Sequence, residues 1–334
     1  MADELRRDLP GDLPTFLTRF GTDAQCRAYL VHARWPEGFR CAGCGHERAY
    51  SHKRRLIEEC AACGQQHALL AGTIFEQSKT GLARWFLAIF LVTSSKGGIS
   101  ALSALPTSLR GIGRSPRELQ RQMGFGSYGT AWAWLHKIRR AMVVPGRKPL
   151  GERVEADETL IGGPRSGRPG RGAAGKTVVA GAVEAGRGKG RGRRLGRLRL
   201  QIVPDAAADS LEGFLARNVA RPAAVSTDGW KGYAGLDQAG YEHEPINLSR
   251  SWGDAALRLP GIHLVFGLAK RWLLGTHHGA VSTKHLQAYL DEYVFRFNRR
   301  TAKGISHRFA RLVEQAVHTK PTTYRRIVAT PAST

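Results

Sequence analysis

Four of the five cysteines form two Cys-x-x-Cys pairs, Cys41/Cys44 and Cys60/Cys63, with fifteen residues between the pairs. Two such pairs at this spacing are typical of a tetrahedral thiolate site for Zn²⁺. A glycine follows the second cysteine of each pair, where a tight turn directs backbone N–H groups towards sulfur. Disulfides are the alternative, and a cytoplasmic setting disfavours them. Because thiolates fill all four positions, we predict a structural zinc.

Two aspartates are candidates for a second, catalytic metal site: Asp157 in "VEADETLIGG" and Asp228 in "STDGWKGY". Asp228 stands between a short apolar run and a glycine, so it is a turn residue as readily as a ligand. If the two strands are neighbours, both carboxylates face one point, and oxygen ligands suit the Mg²⁺ or Mn²⁺ of phosphodiester chemistry. We interpret the flanking Glu155 and Glu158 as directed away from Asp157, as surface or helix-contact residues.

A third ligand is expected from the helix that follows, and His263 is the candidate, with Asp254 and Glu242 as alternatives. Lys270 comes seven residues later, two helical turns and about 10 Å along the same face. In that position it can hold a DNA phosphate beside the metals. A single histidine at a helix start is, taken alone, more often a cap or a solvated side chain.

The charge of the chain indicates its partner. Its 334 residues include 51 Lys plus Arg against 27 Asp plus Glu, a net charge of +24. A polyanion is the natural counterion, so nucleic acid is the leading partner and a membrane surface the rival. The most apolar stretch, "WFLAIFLV", is too short to span a bilayer, and the acidic N-terminus does not fit a secretory signal. We predict a cytoplasmic protein without a membrane partner.

The spacing of apolar residues predicts the helices around the N-terminal motifs. It predicts helices over 10–34, 81–95 and 98–105 around the cysteine ribbon, a Pro/Gly-rich loop over 106–116, and a helix-turn-helix over 116–142. The last helix carries four basic candidates for DNA contact: His136, Lys137, Arg139 and Arg140. The alternative is an amphipathic helix that packs Trp132, Leu135 and Ile138 into a core and leaves its basic face solvated; both readings stay open.

Strand-like segments prevail after residue 150. We predict strands over 153–163, 176–186, 196–206 and 221–230, a helix over 209–219, and helices over 263–275 and 282–300. The order suggests a mixed α/β layer fold. Two Gly-rich basic loops lie between residues 164 and 200, at the tips between strands, and we interpret them as phosphate clamps.

These stretches together resemble a known family. "RWPEGFRCAGCG", "CAACGQQHALLAGTIFEQSKTGLARWF", "SYGTAWAWLHKIRRAM", "VEADETLIGG", "STDGWKGY" and "KRWLLGTHHGAVSTKHLQAYLDEYVFRFNRR" are similar in order and spacing to insertion-sequence transposases of the IS1595 (ISXO2-like) type. The resemblance implies a zinc ribbon followed by an RNase H-like DDE-type catalytic domain. It maps the first two acidic positions to Asp157 and Asp228, and the third to His263, seven residues before Lys270. Histidine replaces the usual glutamate there, and we hypothesise that the softer nitrogen donor favours Mn²⁺ over Mg²⁺. The loop at 106–116 is the other departure from the family pattern.

The predicted organisation follows from this resemblance. We predict an N-terminal helical segment (1–34), a zinc ribbon (35–78), a helical, helix-turn-helix-like DNA-binding module (79–145), an RNase H-like mixed sheet flanked by helices (150–312) and a C-terminal tail (313–334). The expected cofactors are structural Zn²⁺ and catalytic Mg²⁺ or Mn²⁺.

The resemblance implies a bacterial, nucleoid-associated DNA transposase. It would bind the terminal inverted repeats of its element, cleave a strand at each end and transfer the 3′-hydroxyls into target DNA as a homodimer or higher oligomer. Lys270 and Arg271 are expected to contact DNA beside the metals. The alternatives are a zinc-ribbon DNA-binding regulator with an inert RNase H-like domain and, less favoured, a hydrolase of RNA/DNA hybrids.

Overall fold

The computed structural model describes residues 9–95, 116–144, 146–162, 176–187, 193–246, 259–277, 281–302 and 304–329. The chain divides into two compact units, one formed by residues 1–144 with 301–334 and the other by residues 145–300. Among the described residues, no helix combines the length and the apolar character needed to cross a bilayer.

The first unit begins with two helices, α1 (Leu13–Phe20) and α2 (Asp23–Arg34). The sequence predicted one continuous helix here. Thr22 instead starts a new helix, because its side chain accepts from the backbone N–H of Gln25 while the Gln25 side chain accepts from the backbone N–H of Thr22. This reciprocal cap satisfies N–H groups at the helix start, and its sequence signal, Thr-x-x-Gln, is visible in the chain.

A small antiparallel sheet follows, with strands β1 (Ala49–His52), β2 (Ile57–Cys60) and β3 (Gln66–Ala68) in that order. The carboxylate of Glu58, on the central strand, receives hydrogen bonds from Arg27 of α2 and from the hydroxyl of Ser51. These polar contacts attach the ribbon to α2.

The core of the first unit forms around α3 (Leu82–Ser94), most of whose side chains are buried. Phe16 of α1 and Phe90 of α3 stack with 4.5 Å between their ring centroids. Both rings also contact Phe309 of α9 (Ile305–Ala316). A short helix, α10 (Tyr324–Val328), follows near the C-terminus. The predicted helix, turn and helix are present as α4 (Pro116–Met123) and α5 (Tyr128–Ala141).

The second unit is built on a mixed five-stranded sheet. Its strands are β4 (Arg153–Ile161), β5 (Thr177–Arg187), β6 (Arg193–Val203), β7 (Ala224–Thr227) and β8 (Glu242–Pro245), in the order β6-β5-β4-β7-β8. The first three strands pair antiparallel, and β4, β7 and β8 run parallel. The first and fourth predicted strands are therefore neighbours, which is the condition under which Asp157 and Asp228 could face one point. The sequence missed β8, a short, largely exposed strand without an apolar pattern.

Helices cover both faces of this sheet. On one face α7 (Pro260–His277) and α8 (Thr283–Phe297) enclose an apolar cluster with β5 and β6. On the other face α6 (Ala208–Asn218) packs with Val154, Ala156 and Tyr233 in a second cluster. The predicted fold class, an RNase H-like mixed sheet flanked by helices and preceded by a cysteine ribbon and a helical module, is confirmed.

Candidate metal centres and catalytic site

The four ribbon cysteines converge as predicted. One sulfur atom from each lies within 4.8 Å of the other three, with 3.7 Å between Cys41 and Cys63 and 3.5 Å between Cys44 and Cys60. Zn–S bonds of ~2.3 Å place the corners of a tetrahedron about 3.8 Å apart, so this cluster fits Zn²⁺. Backbone N–H groups of Cys63 and Ala62 lower the pKa of Cys60 to about 6, whereas the surrounding thiols, against a backbone hydrogen bond from His46, raise the pKa of Cys44 to about 12. The four thiols therefore do not all ionise by themselves, and a cation such as Zn²⁺ would offset the repulsion among their thiolates.

The fifth cysteine and a nearby histidine stay outside this set. Cys26 is buried in α2, and burial raises the pKa of its thiol to about 12. It is therefore an inert, buried residue of the α2 core. His67 lies beside the cluster, with its Nε2 atom 3.4 Å from the Cys41 sulfur, in the range of a hydrogen bond to a ligating sulfur.

Asp157 and Asp228 meet where β7 leaves the sheet. The parallel register of β4 and β7 ends at the pair Glu155–Ser226, and each aspartate lies two residues further along its strand direction. Carboxylate oxygens of Asp157 and Asp228 approach within 4.8 Å of each other, and an oxygen of Glu158 belongs to the same cluster. Asp157 is buried, so this negative charge is concentrated where water screens it little.

The "TDGWKGY" segment holds Asp228 in place. The Oδ1 atom of Asp228 accepts a 3.0 Å hydrogen bond from the backbone N–H of Trp230, which is the turn role of an aspartate. Gly229 adopts φ +74°, a conformation that favours glycine. Asp228 is therefore a turn residue and a member of the carboxylate cluster at once, which answers the question left open by the sequence.

His263 extends from the first turn of α7 towards Asp157. Its Nε2 atom lies 3.7 Å from Oδ2 of Asp157, which is too long for a hydrogen bond, and this buried nitrogen has no hydrogen-bond partner among the residues that the structure describes. Desolvation lowers the pKa of His263, while the charges of Glu155 and Asp228 oppose the shift. The imidazole is thus held in the neutral form that coordinates metals. A buried orphan nitrogen beside clustered carboxylates fits a divalent cation.

Lys270 lies two turns after His263 on α7, and both it and Arg271 are exposed. Desolvation and the neighbouring Lys176 lower the pKa of Lys270, and the charge of Asp157 opposes them. Two turns apart on one helix, Lys270 and His263 lie on the same face of α7.

Sequence reasoning misplaced the two glutamates beside Asp157. Glu155 is two residues from Asp157, so it points to the same face, where its buried carboxylate accepts a 3.0 Å hydrogen bond from the backbone N–H of Ile262 in the first turn of α7. The helix-contact half of that interpretation is confirmed for Glu155. The interpretation is wrong for Glu158, whose carboxylate belongs to the cluster.

Of the two alternative third ligands, only Glu242 lies in the described part of the chain, and it does not join the cluster. Glu242 begins β8 with an exposed side chain and is not among the grouped carboxylates. Asp254 lies outside the described residues, as do most of the two basic Gly-rich loops, the predicted helix over 98–105 and residues 106–115 of the predicted loop.

Comparison with known proteins gives this geometry a family. Residues 149–298 match the ISXO2-like transposase domain, and residues 21–66 match the transposase zinc-ribbon domain; together the two matches cover more than half of the chain. The chain belongs to the IS1595-type (ISXO2-like) transposase family.

A relative supports the same assignment. An uncharacterized protein in the transposable element ISH50 of Halobacterium salinarum is 25% identical over 296 residues, which cover 83% of this chain and 91% of the relative. No solved structure matches the chain. A transposase role is supported by the family and by this insertion-sequence relative.

The transposase's predicted DNA-reading helix, α5, turns much of its basic surface inwards. His136 and Arg139 are buried, Lys137 is half-buried, and Arg140 is exposed. Leu135 and Ile138 are buried too, as the packing alternative required, whereas Trp132, its third residue, is only partly buried. The neighbouring Trp134 stacks on Trp85 with 3.6 Å between the ring centroids. Burial argues against His136 and Arg139 as DNA contacts, and Lys137 and Arg140 remain predictions.

Proposed function

We propose that this chain is a DNA transposase of the DDE/DDH type, which cleaves DNA strands at the ends of its element and transfers the 3′-hydroxyls into target DNA. The observation that carries the proposal is the cluster around Asp157. Carboxylate oxygens of Asp157 and Asp228 lie within 4.8 Å of each other, and the orphan Nε2 atom of His263 lies 3.7 Å from Asp157. Two carboxylates and an imidazole form a donor set for Mg²⁺ or Mn²⁺.

The residues of the site have two tasks in this reaction, binding of the cations and binding of DNA. Asp157, Asp228 and His263 would hold the divalent cations, and Lys270 would pair with a phosphate of the scissile strand. When bound, the cations supply activation of water or of the 3′-hydroxyl and stabilisation of the leaving oxygen. The burial of Asp157 excludes water from one side of the cluster, which strengthens its interaction with positive charge.

The first unit would bind the element ends. Zn²⁺ held by Cys41, Cys44, Cys60 and Cys63 would fix the ribbon, and exposed basic residues of this unit such as Arg140 on α5 would contact phosphates. In the second unit, the exposed Arg271 on α7 would contact DNA beside the catalytic site. The net charge of +24 supports a polyanionic partner. Because two ends must be joined in one reaction, we propose that the chain acts on DNA as a homodimer or higher oligomer.

Cleavage of a labelled duplex that carries the element end tests the proposal. We expect nicking at the end with Mg²⁺ or Mn²⁺, loss of nicking in Asp228→Ala, and unchanged DNA affinity in that variant. Glu242→Ala, which removes an exposed carboxylate outside the cluster, is the matched control and should cleave normally. Tight binding without cleavage in either metal would contradict the proposal and favour a DNA-binding regulator with an inert catalytic domain.

A further inference from the structure

Glu158 occupies a place that the alternation of β4 does not explain. Its neighbours Val154 and Ala156, an even number of residues away, pack in the cluster below α6, so Glu158 starts from the face opposite to Asp157. An oxygen of Glu158 nevertheless lies within 4.8 Å of ligand atoms of Asp157 and Asp228. It reaches them because β7 has ended at Thr227, so no strand separates Glu158 from Asp228.

Tyr233 directs this carboxylate. Its hydroxyl donates a 3.0 Å hydrogen bond to Oε2 of Glu158 from a side chain that is only 1% exposed. A buried phenol with one orientation can hold the carboxylate in one rotamer, as the partners of metal ligands commonly do.

The backbone around Tyr233 is fixed in turn. The indole N–H of Trp230 donates a 2.8 Å hydrogen bond to the carbonyl of Ala206, just before α6. Gly232 lies so close to the same carbonyl that an added Cβ would come within 2.7 Å of it. These contacts place the short 3-10 turn Lys231–Tyr233 against α6. One segment, "TDGWKGY", thus supplies both Asp228 and the residue that orients Glu158.

The negative charge of the three carboxylates favours the binding of cations. Three carboxylates with oxygens within 4.8 Å of one another repel strongly in a partly buried site, and divalent cations offset that repulsion. The hydroxyl of Tyr233 occupies one lone pair of one Glu158 oxygen, and a carboxylate has about four such sites. A hydrogen bond from Tyr233 is therefore compatible with a bond from Glu158 to a cation.

We propose that Glu158 is a further ligand of the catalytic cations, and that Tyr233 is its positioning residue; the inference rests on the metal-dependent function proposed above. The site then contains three carboxylates, from Asp157, Glu158 and Asp228, besides the imidazole of His263. The third negative charge comes from the residue next to Asp157 on β4 itself, where the sequence pattern suggested a surface position.

Binding of Mn²⁺ to the full-length, zinc-loaded protein tests this role without reference to cleavage. Isothermal titration calorimetry and electron paramagnetic resonance would compare the wild type with Glu158→Gln, Tyr233→Phe, Asp228→Asn and the exposed control Glu242→Gln. We expect Glu158→Gln to weaken Mn²⁺ binding about 10- to 100-fold and to change the resonance of bound Mn²⁺. We expect Tyr233→Phe to weaken it by about 10-fold, because it releases the carboxylate without removing it.

A positioning role also predicts a split in the kinetics of Tyr233→Phe. Its half-saturating Mn²⁺ concentration should rise by the same factor as its dissociation constant, while cleavage at saturating Mn²⁺ approaches the wild-type rate. A purely structural role would lower the folded fraction and leave the metal dependence unchanged. Since Tyr233→Phe removes one hydroxyl from a buried ring, it keeps the test informative even if Glu158→Gln folds poorly.

The outcomes separate this inference from the proposed function. Wild-type Mn²⁺ affinity and resonance in Glu158→Gln, with binding lost in Asp228→Asn, would overturn the role of Glu158 and leave the transposase proposal intact. Weakened binding in Glu158→Gln, in a wild type that binds Mn²⁺ but cleaves no element end, would support the ligand and overturn the catalytic proposal. Absence of Mn²⁺ binding in the wild type would overturn both.

Discussion

The two candidate metal centres are assembled in opposite ways. The ribbon cysteines come as two Cys-x-x-Cys pairs within one small sheet, and their four sulfur atoms meet within 4.8 Å. The acidic site collects Asp157 from a strand, Asp228 from the residue after another strand, and His263 from a helix. The first centre is local in the chain, whereas the second exists only once the second unit has formed.

This difference decides what each metal can contribute. Thiolates in a small three-stranded sheet have little apolar core around them, so zinc itself must supply much of the folding free energy. The acidic site lies on a packed sheet and helices with two apolar clusters of their own, so its proposed cations would offset charge and do chemistry and would not be required for folding. We therefore expect metal loss to unfold the ribbon and to silence, without unfolding, the catalytic unit.

The largest predicted effect is the loss of a ribbon thiolate. Cys60→Ser should abolish stoichiometric zinc binding and remove hydrogen-exchange protection from β1 to β3, because structural zinc in such peptides contributes about 10 kcal/mol or more. Protection of β4 to β7 should persist. Metal analysis and hydrogen exchange followed by mass spectrometry measure both results on the full chain.

Cys26→Ala is the matched control, because Cys26 is buried in α2 and lies outside the thiolate cluster. It should keep its zinc and its protection in the ribbon. Full zinc occupancy in Cys60→Ser, with His67 or another group replacing the sulfur, would contradict the assignment of all four cysteines as necessary ligands.

The same difference explains which residues of the two sites could be predicted from the sequence. Cys41 and Cys44 could be assigned from spacing alone, because a knuckle motif and its geometry are one local object. The partnership of Asp157 and Asp228 required the pairing of β4 with β7, which strand patterns made plausible but did not determine. Glu158 was misread because strand alternation fixes only the face from which a side chain starts. Since β7 ends at Thr227 while β4 continues, the long Glu158 side chain can reach Asp157 and Asp228 from the opposite face.

Packing between α7 and the sheet is the next way to separate the two centres. Gly181 of β5 pairs with Asp157, and an added Cβ there would come within 2.6 Å of the Phe266 ring of α7. We expect Gly181→Ala to cost about 1–3 kcal/mol through overpacking and to lower cleavage, because it displaces the helix that carries His263. Zinc content should not change.

Gly267, which follows Phe266 on α7, is the matched control for that substitution. An added Cβ at Gly267 meets nothing within 4 Å, so Gly267→Ala should stabilise the helix by about 0.5–1 kcal/mol. Thermal unfolding and cleavage assays compare the two. Equal stability of the two alanine variants would show that α7 is not seated as closely on β5 as the structure indicates.

A smaller effect is predicted for the metal preference that His263, the proposed nitrogen ligand, gives the site. If the imidazole of His263 favours Mn²⁺, the ratio of Mn²⁺- to Mg²⁺-supported cleavage should fall about 10-fold in His263→Glu, which restores a hard oxygen donor. His318→Glu, at an exposed position, is a matched control that should leave the ratio unchanged. Equal ratios in the wild type and His263→Glu would remove the hypothesis.

The smallest predicted effect concerns Asp291, a carboxylate for which no cation is proposed. It measures what burial of a negative charge costs in this unit, and hence how strongly the acidic site would favour a cation. Asp291 of α8 accepts a hydrogen bond from the Gln287 side chain, yet desolvation raises its pKa to about 6, with Arg147 opposing the shift. Because its folded pKa lies above the unfolded value of about 3.9, the protonated folded form stabilises the protein fully below pH 4, and that contribution disappears as pH rises through 6. Asp291→Asn should therefore match the wild type near pH 4 and exceed its stability by about 1 kcal/mol at pH 7.5.

Asp205→Asn provides a control of opposite sign for that pH dependence. Hydrogen bonds from Ser210 and from the backbone of Ala207 lower the pKa of Asp205, so its ionised form stabilises the folded state above pH 4 and this stabilisation is lost in acid. At pH 7.5 Asp205→Asn should thus be less stable than the wild type, where Asp291→Asn is more stable, and denaturant unfolding at the two pH values distinguishes them. If Asp291→Asn gains nothing at pH 7.5, burial of a lone carboxylate costs little in this unit. The repulsion among Asp157, Glu158 and Asp228 would then be a weaker argument for cations at the acidic site.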